Sequence, residues 1–281
     1  MQALATPATP ALLETLSPSR AADFKVCPQL FKFKAIDKIE TPPTPSQARG
    51  TTAHLALQRL FDEPTAARTP ERLADLFRTA WTELRSSDYV GLFATVEDER
   101  RWGLDSLAVL GNYFGLEDPT SFEPLHRELD VSEDIGDMRI RGILDRVEQT
   151  GDGLVITDYK TGAAPPEHFA LKAFFALKIY GVLIRRITGD TPVGLRLLYL
   201  NGPTVYRIPI GDRQLDAMER QLEALWAAIN RAIATGWFPP RPGRLCDWCP
   251  YRDRCPAFSD ETADPTGVAL PLPVAAHRTG A

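Results

Sequence analysis

The spacing of apolar positions divides the chain into a helical first part and a mixed second part. Ser17 ahead of Pro18 offers a helix start, with Phe24, Leu30 and Phe31 following at helical intervals. A proline-rich break covers Thr41 to Pro45. A second helix from near Ser46 sets Ala53, Leu57 and Leu60 on one face, with Phe61 beside them. Two more helical stretches are expected, over roughly 69–86 and 94–116. Alternation then replaces helical spacing. Phe122 to Val131, Met138 to Glu148 and Leu154 to Tyr159 read as strands, the last two joined by a turn in Thr150-Gly151-Asp152-Gly153. A helix is expected from about Pro166 to Thr188, and a hairpin from Val193–Leu200 and Thr204–Ile210 around Asn201-Gly202. A long helix follows from about Asp212 to Thr235, striped with Leu215, Leu222, Leu225, Trp226 and Ile229. This order predicts a mixed α/β (α+β) fold.

Composition adds limits. With 281 residues the chain can bury a large core without cross-links. Its formal net charge of −5 excludes a protein coated in positive charge, but not an enzyme with a local basic groove. No apolar run is long enough to span a bilayer, and Met1 to Pro10 lacks the pattern of a signal peptide, so a cytoplasmic protein with no membrane partner is expected. No GxxxxGK[ST] motif is present, so no helicase motor is expected in this chain. Residues 1–15 read as a disordered arm and the Ala/Pro/Thr-rich stretch 259–281 as a disordered tail. Between them, 16–258 reads as one domain: a helical part (16–116), a sheet (117–210), then a helix and cysteine cap (211–258).

The densest chemistry lies between Arg141 and Lys160. If the two strands pair through a Gly151-Asp152 turn, Asp145 stands opposite Asp158; through Asp152-Gly153, it stands opposite Lys160. In either register, regular alternation puts all three on one face. Opposed carboxylates repel, and a divalent cation would offset that cost; hard oxygen ligands favour Mg²⁺ or Mn²⁺. Such an ion polarises a phosphate and acidifies water, and Lys160 could steady the developing charge. The bland alternative is a surface hairpin with a cross-strand Asp–Lys pair. Asp158 argues against it, because Leu154, Val155 and Ile156 lead into it as a buried strand. In Arg49-Gly50-Thr51-Thr52-Ala53-His54, the glycine would let another backbone approach. His54 is then either an ordinary helical histidine or a neutral imidazole completing a metal shell.

The four cysteines are Cys27, Cys246, Cys249 and Cys255. In a reducing compartment this clustering points to metal, and a structural Zn²⁺ site is one reading. Arg241, Arg244, Arg252 and Arg254 surround the last three, with Trp248 and Tyr251 interleaved. Such a mixture either grips phosphates and stacks on bases or is a solvated cap.

Taken together, Ser17-Pro18-Ser19, Cys27-Pro28, Arg49-Gly50…His54, Gly142…Asp145, Asp158-Tyr159-Lys160-Thr161-Gly162, Tyr180 and the C-terminal cysteines resemble the RecB-family nucleases of the PD-(D/E)XK superfamily, over about residues 17–258. The resemblance implies a restriction-endonuclease-like core and metal-dependent hydrolysis of DNA, by default from an accessible single-strand end in repair or recombination. It implies His54, Asp145, Asp158 and the Tyr159 carbonyl as metal ligands, with Asp145, Asp158 and Lys160 catalytic. Glu128, Tyr180 and Arg49 are accessory candidates. The cysteine arrangement is similar to that of AddB-type proteins and implies a [4Fe-4S] cluster. A helicase or repair partner fits the same resemblance, as does a CRISPR-adaptation nuclease. The family's Gln four residues before the helical Tyr is Ala176 here. That departure supports the competing reading, a non-catalytic DNA-binding or assembly subunit that keeps the fold.

Overall fold

The computed structural model describes Leu13 and residues 15–258. Apart from Leu13 and Thr15, the expected N-terminal arm lies outside the described residues, as does the tail 259–281.

Four helix starts follow one local rule: a hydroxyl side chain accepts from the third residue on, three times with proline in the first turn. Ser17 opens α1 (Pro18–Val26), Thr44 opens α3 (Pro45–Leu60) with Gln47 completing a capping box, and Thr69 opens α4 (Pro70–Arg85). Thr95 opens α5 (Val96–Gly111), whose first turn carries Glu97, Asp98 and Glu99. Between the first two helices lie the short α2 (Pro28–Phe31) and a π-helical turn, Lys32–Ile36.

Five strands follow: β1 (His126–Ile135), β2 (Met138–Thr150), β3 (Gly153–Ala163), β4 (Gly194–Asn201) and β5 (Thr204–Pro209), in the order β1-β2-β3-β4-β5. All neighbours are antiparallel except β3 and β4. That parallel pair needs a crossover, supplied by α6 (Glu167–Ala173) and α7 (Phe175–Thr188). The helix expected over 166–188 therefore breaks at Phe174, which is itself buried in the core. Strand β1 is shifted from the expected 122–131. Phe122 packs 5.4 Å from Phe61 in the helical region instead, and Gly136-Asp137 makes a two-residue turn into β2.

The sheet is covered on both faces. Leu195 and Leu197 of β4 join a core with α1, α7 and α8 (Asp212–Thr235), whereas Leu198 and Leu200 join α3, α4 and α5. Strand β4 is thus apolar on both sides. On the N-terminal side, Leu16 is fully buried and bridges to Ile140, donating to the Arg139 carbonyl at 2.8 Å. It occupies the side of β2 that β3 has left.

Candidate active site

The hairpin turn is the Gly151-Asp152 one. The ladder runs from Thr150↔Gly153 to Arg146↔Thr157 and stops one step short of Asp145 and Asp158. Alternation also fails there. Leu144 and Val147, three apart, both pack in the core beneath α7 and α8, while Arg146 turns to the other face. Regular alternation, expected to place Asp145, Asp158 and Lys160 on one face, does not hold at Asp145. On β1 the irregularity falls at Glu128, which takes φ +44° between the pairs Arg127↔Arg146 and Leu129↔Leu144. A glutamate held in the left-handed region is strained by about 1–3 kcal/mol. Glu128, Asp145 and Asp158 thus form one row across three strands, where the sheet splays open.

The splay frees the backbone of Tyr159. Its N–H donates to Asp145 Oδ2 at 2.7 Å, and its carbonyl lies 3.1 Å from His54 Nε2. The other ring nitrogen, Nδ1, is 3.2 Å from Asp145 Oδ1. His54 therefore spans a carboxylate and a carbonyl. Burial alone would lower its pKa, but Asp145, helped by Asp158 and Glu128, raises it to about 9. Both nitrogens then donate, and the imidazolium supplies the positive charge that the carboxylates need. Ligand atoms of His54, Glu128 and Asp145 lie within 4.8 Å of one another, so Glu128 stands nearer the centre than its accessory ranking implied.

Asp158 stands apart from that trio. Lys160 Nζ makes a close ion pair with its Oδ2 at 2.5 Å, and the carboxyl is nearly buried. Burial, and next the charge of Asp145, push Asp158 up to about 6. Burial and Asp145 likewise push Glu128 up to about 6. The Lys160 ammonium would be weakened by burial, but Asp158 more than restores it and its pKa is raised. Three clustered oxygen and nitrogen donors with a fourth buried carboxylate beside them form a donor set that fits a hard divalent cation.

Tyr180 closes the site from α7. Burial, and next Asp158 and Asp145, raise the pKa of its hydroxyl. A Cβ on Gly142 would lie 2.7 Å from the Tyr180 ring, so this glycine is required by close approach. Gly50 is not: a Cβ there would meet only Thr161 Oγ1, at an ordinary 3.6 Å. Arg49 points away from the row, its Nε donating to Ser106 Oγ at 3.0 Å.

The four cysteines line one apolar cavity with Val26, Leu30 and Phe33. The Arg241 and Gly243 N–H groups donate to Cys27 and Cys246 Sγ, both at 3.4 Å. Burial, and next the other cysteines against an Ala257 N–H, raise the Cys255 thiol. Among the described residues, no three of these sulfurs lie mutually within 4.8 Å. Trp248 is exposed, but Tyr251 is buried against Phe33 and donates to the Ile39 carbonyl, so it offers no face for stacking.

Residues 15–256 match the family model of the PD-(D/E)XK nuclease superfamily. The chain belongs to this superfamily. PD-(D/E)XK nucleases use divalent metals, and the superfamily implies DNA as substrate. A search of curated proteins finds no match. Among solved structures, a protein of Eubacterium rectale named as a candidate exonuclease is similar, with 14% identity, a TM-score of 0.51 and coverage of 98% of this chain and 97% of that one. The protein SSO0001 is similar at 15% identity, with 88% and 87% coverage and a TM-score of 0.41. At these identities the likeness concerns the fold. Among the described residues, no helix is long and apolar enough to cross a membrane.

Proposed function

We propose that this PD-(D/E)XK protein is a metal-dependent DNA exonuclease of the RecB type, acting on accessible single-strand ends in repair or recombination. The observation that carries this reading is the convergence of His54, Glu128 and Asp145 within 4.8 Å, beside buried Asp158 and its ion-pair partner Lys160. His54, Asp145, Asp158 and the Tyr159 carbonyl would hold the ion, with Glu128 added to the set. A bound Mg²⁺ or Mn²⁺ would supply Lewis acidity to the scissile phosphate and acidify its water. To take the ion, His54 gives up a ring proton. Lys160, anchored by Asp158 at the mouth of the site, neutralises charge on the phosphoryl oxygens. The open groove along α3, lined by Gln47, Thr51, His54 and Gln58, has room for a strand beside Glu128.

The four cysteines would hold a [4Fe-4S] cluster. Support comes from their shared apolar cavity and the N–H groups donating to sulfur. We take 16–258 as one working unit in the cytoplasm, with a helicase or repair partner supplying ends. The non-catalytic reading has only Ala176 in its favour.

Anaerobically purified protein tests both points. Iron and acid-labile sulfide in equal amounts, with little zinc, are expected. End-labelled single strands should be degraded with Mg²⁺ or Mn²⁺ by wild type, and not by Asp158→Ala or Lys160→Ala. Equal behaviour of all three would refute the assignment.

A further inference from the structure

Directly behind the carboxylate row lies a buried charge network that the proposed chemistry does not use. Arg146 is 1% exposed, the largest fully buried side chain among the described residues. Its guanidinium donates to both Glu117 oxygens, to Glu148 at 2.7 Å and to the Tyr159 hydroxyl at 2.5 Å. It also lies 4.8 Å from the Phe122 ring and 5.2 Å from that of Tyr159. Glu148 accepts in turn from Thr157 Oγ1 at 2.8 Å and from Arg196. Arg196 Nε donates to Thr157 at 3.0 Å. Two guanidinium groups thus face two carboxylates, so the network balances its charge and satisfies its donors.

Its position matters more than its stability. Arg146 and Thr157 are the last pair of the β2–β3 ladder, and each is bonded through the chain to a carboxylate residue, Asp145 or Asp158. Beyond that pair no ladder bond holds the strands against the repulsion of the row. Across the splay, Tyr159 holds Asp145 through its N–H, alongside His54, and the Tyr159 side chain is held by Arg146.

We propose that Arg146, acting through Glu148, Thr157 and the Tyr159 hydroxyl, is a positioning residue that sets the spacing of Asp145, Asp158 and the Tyr159 carbonyl for the divalent cation. It rests on the metal site proposed above. The guanidinium fork is essential, because it reaches Glu117, Glu148 and Tyr159 at once; an ammonium cannot span all three.

The test is Mn²⁺ binding, measured by titration calorimetry on the full chain without DNA. Wild type, Arg146→Lys and Tyr159→Phe are compared with Leu222→Ala, a core truncation under α8 that lowers stability at a distance from the row. Partners that orient metal ligands typically govern 10- to 100-fold in affinity. Both network variants should therefore bind Mn²⁺ about 10-fold or more weakly, with activity recovering partly at high Mn²⁺, while Leu222→Ala binds like wild type. Should Arg146→Lys not fold, Tyr159→Phe decides alone, since it removes one oxygen. Wild-type affinity in a folded, destabilised network variant would overturn the positioning role and leave the metal site standing. Absence of Mn²⁺ binding by wild type would overturn the metal site itself.

Discussion

Replacing Asp158 by Asn should make the metal-free protein more stable while abolishing its activity. The carboxyl is nearly buried, stands in the row with Asp145, and has its pKa pushed from an ordinary 3.8 to about 6. A group with a raised folded-state pKa binds its proton more tightly in the native state. Native stability is therefore lost as pH climbs from about 4 through 6. Two units correspond to about 3 kcal/mol at pH 8, shrinking to about 0.5 kcal/mol near pH 4. Asn carries no charge and escapes this penalty. The attraction of Lys160 is already contained in that raised pKa. The gain at pH 8 is therefore about 3 kcal/mol, or roughly 6–12 °C in Tm for a chain of this size. Thermal melts in EDTA at pH 5 and pH 8 measure it directly. The variant should melt higher at pH 8, by a margin that narrows at pH 5, and saturating Mn²⁺ should reverse the order by stabilising wild type alone. A lower Tm for the variant in EDTA at pH 8, or a margin independent of pH, would refute the idea that the row is strained without its cation.

Three further outcomes follow from the same geometry. Because His54 is held protonated up to about pH 9, metal binding must displace a proton; Mn²⁺ affinity should rise about tenfold per pH unit between about pH 6, where Asp158 and Glu128 have ionised, and pH 9, and His54→Gln should flatten that rise. Gly142→Ala drives a Cβ into the Tyr180 ring and should lower stability by about 1–3 kcal/mol, with a less than additive loss when combined with Tyr180→Ala, both read from denaturant melts. Cys246→Ser should lose iron and sulfide together and lower the Tm; retention of full iron content would count against a cluster held by all four cysteines.

The neighbourhood of the site shows why some of it was legible from sequence and some not. The turn at Gly151-Asp152 dictates the β2–β3 register as far as Arg146↔Thr157, so the arrival of Asp145 and Asp158 just beyond the end of one ladder is a local consequence of strand geometry. Cap residues likewise mark the helix starts one by one. Glu128 was harder to weigh, because its backbone reversal at φ +44° has no signature in residue type and arises where two strands splay. Arg146 reads in sequence as an ordinary strand charge; only burial with Glu117, Phe122 and Tyr159 turns it into a clamp. Phe122 was read as the start of a strand because alternation cannot tell which core an apolar residue will join.

What the sequence alone determined is the set of chemical groups and their short-range order: the carboxylates and lysine at hairpin spacing, the histidine on a capped helix, and the cysteines flanking the core. These depend on backbone periodicity and turn preferences, which act over a few residues. What only the tertiary structure decided is which backbone atoms are free, which charges are buried together, and that Asp145 leaves regular alternation. Those follow from packing α3 on one face of the sheet and α7 on the other, a balance of burial and repulsion between segments far apart in the chain.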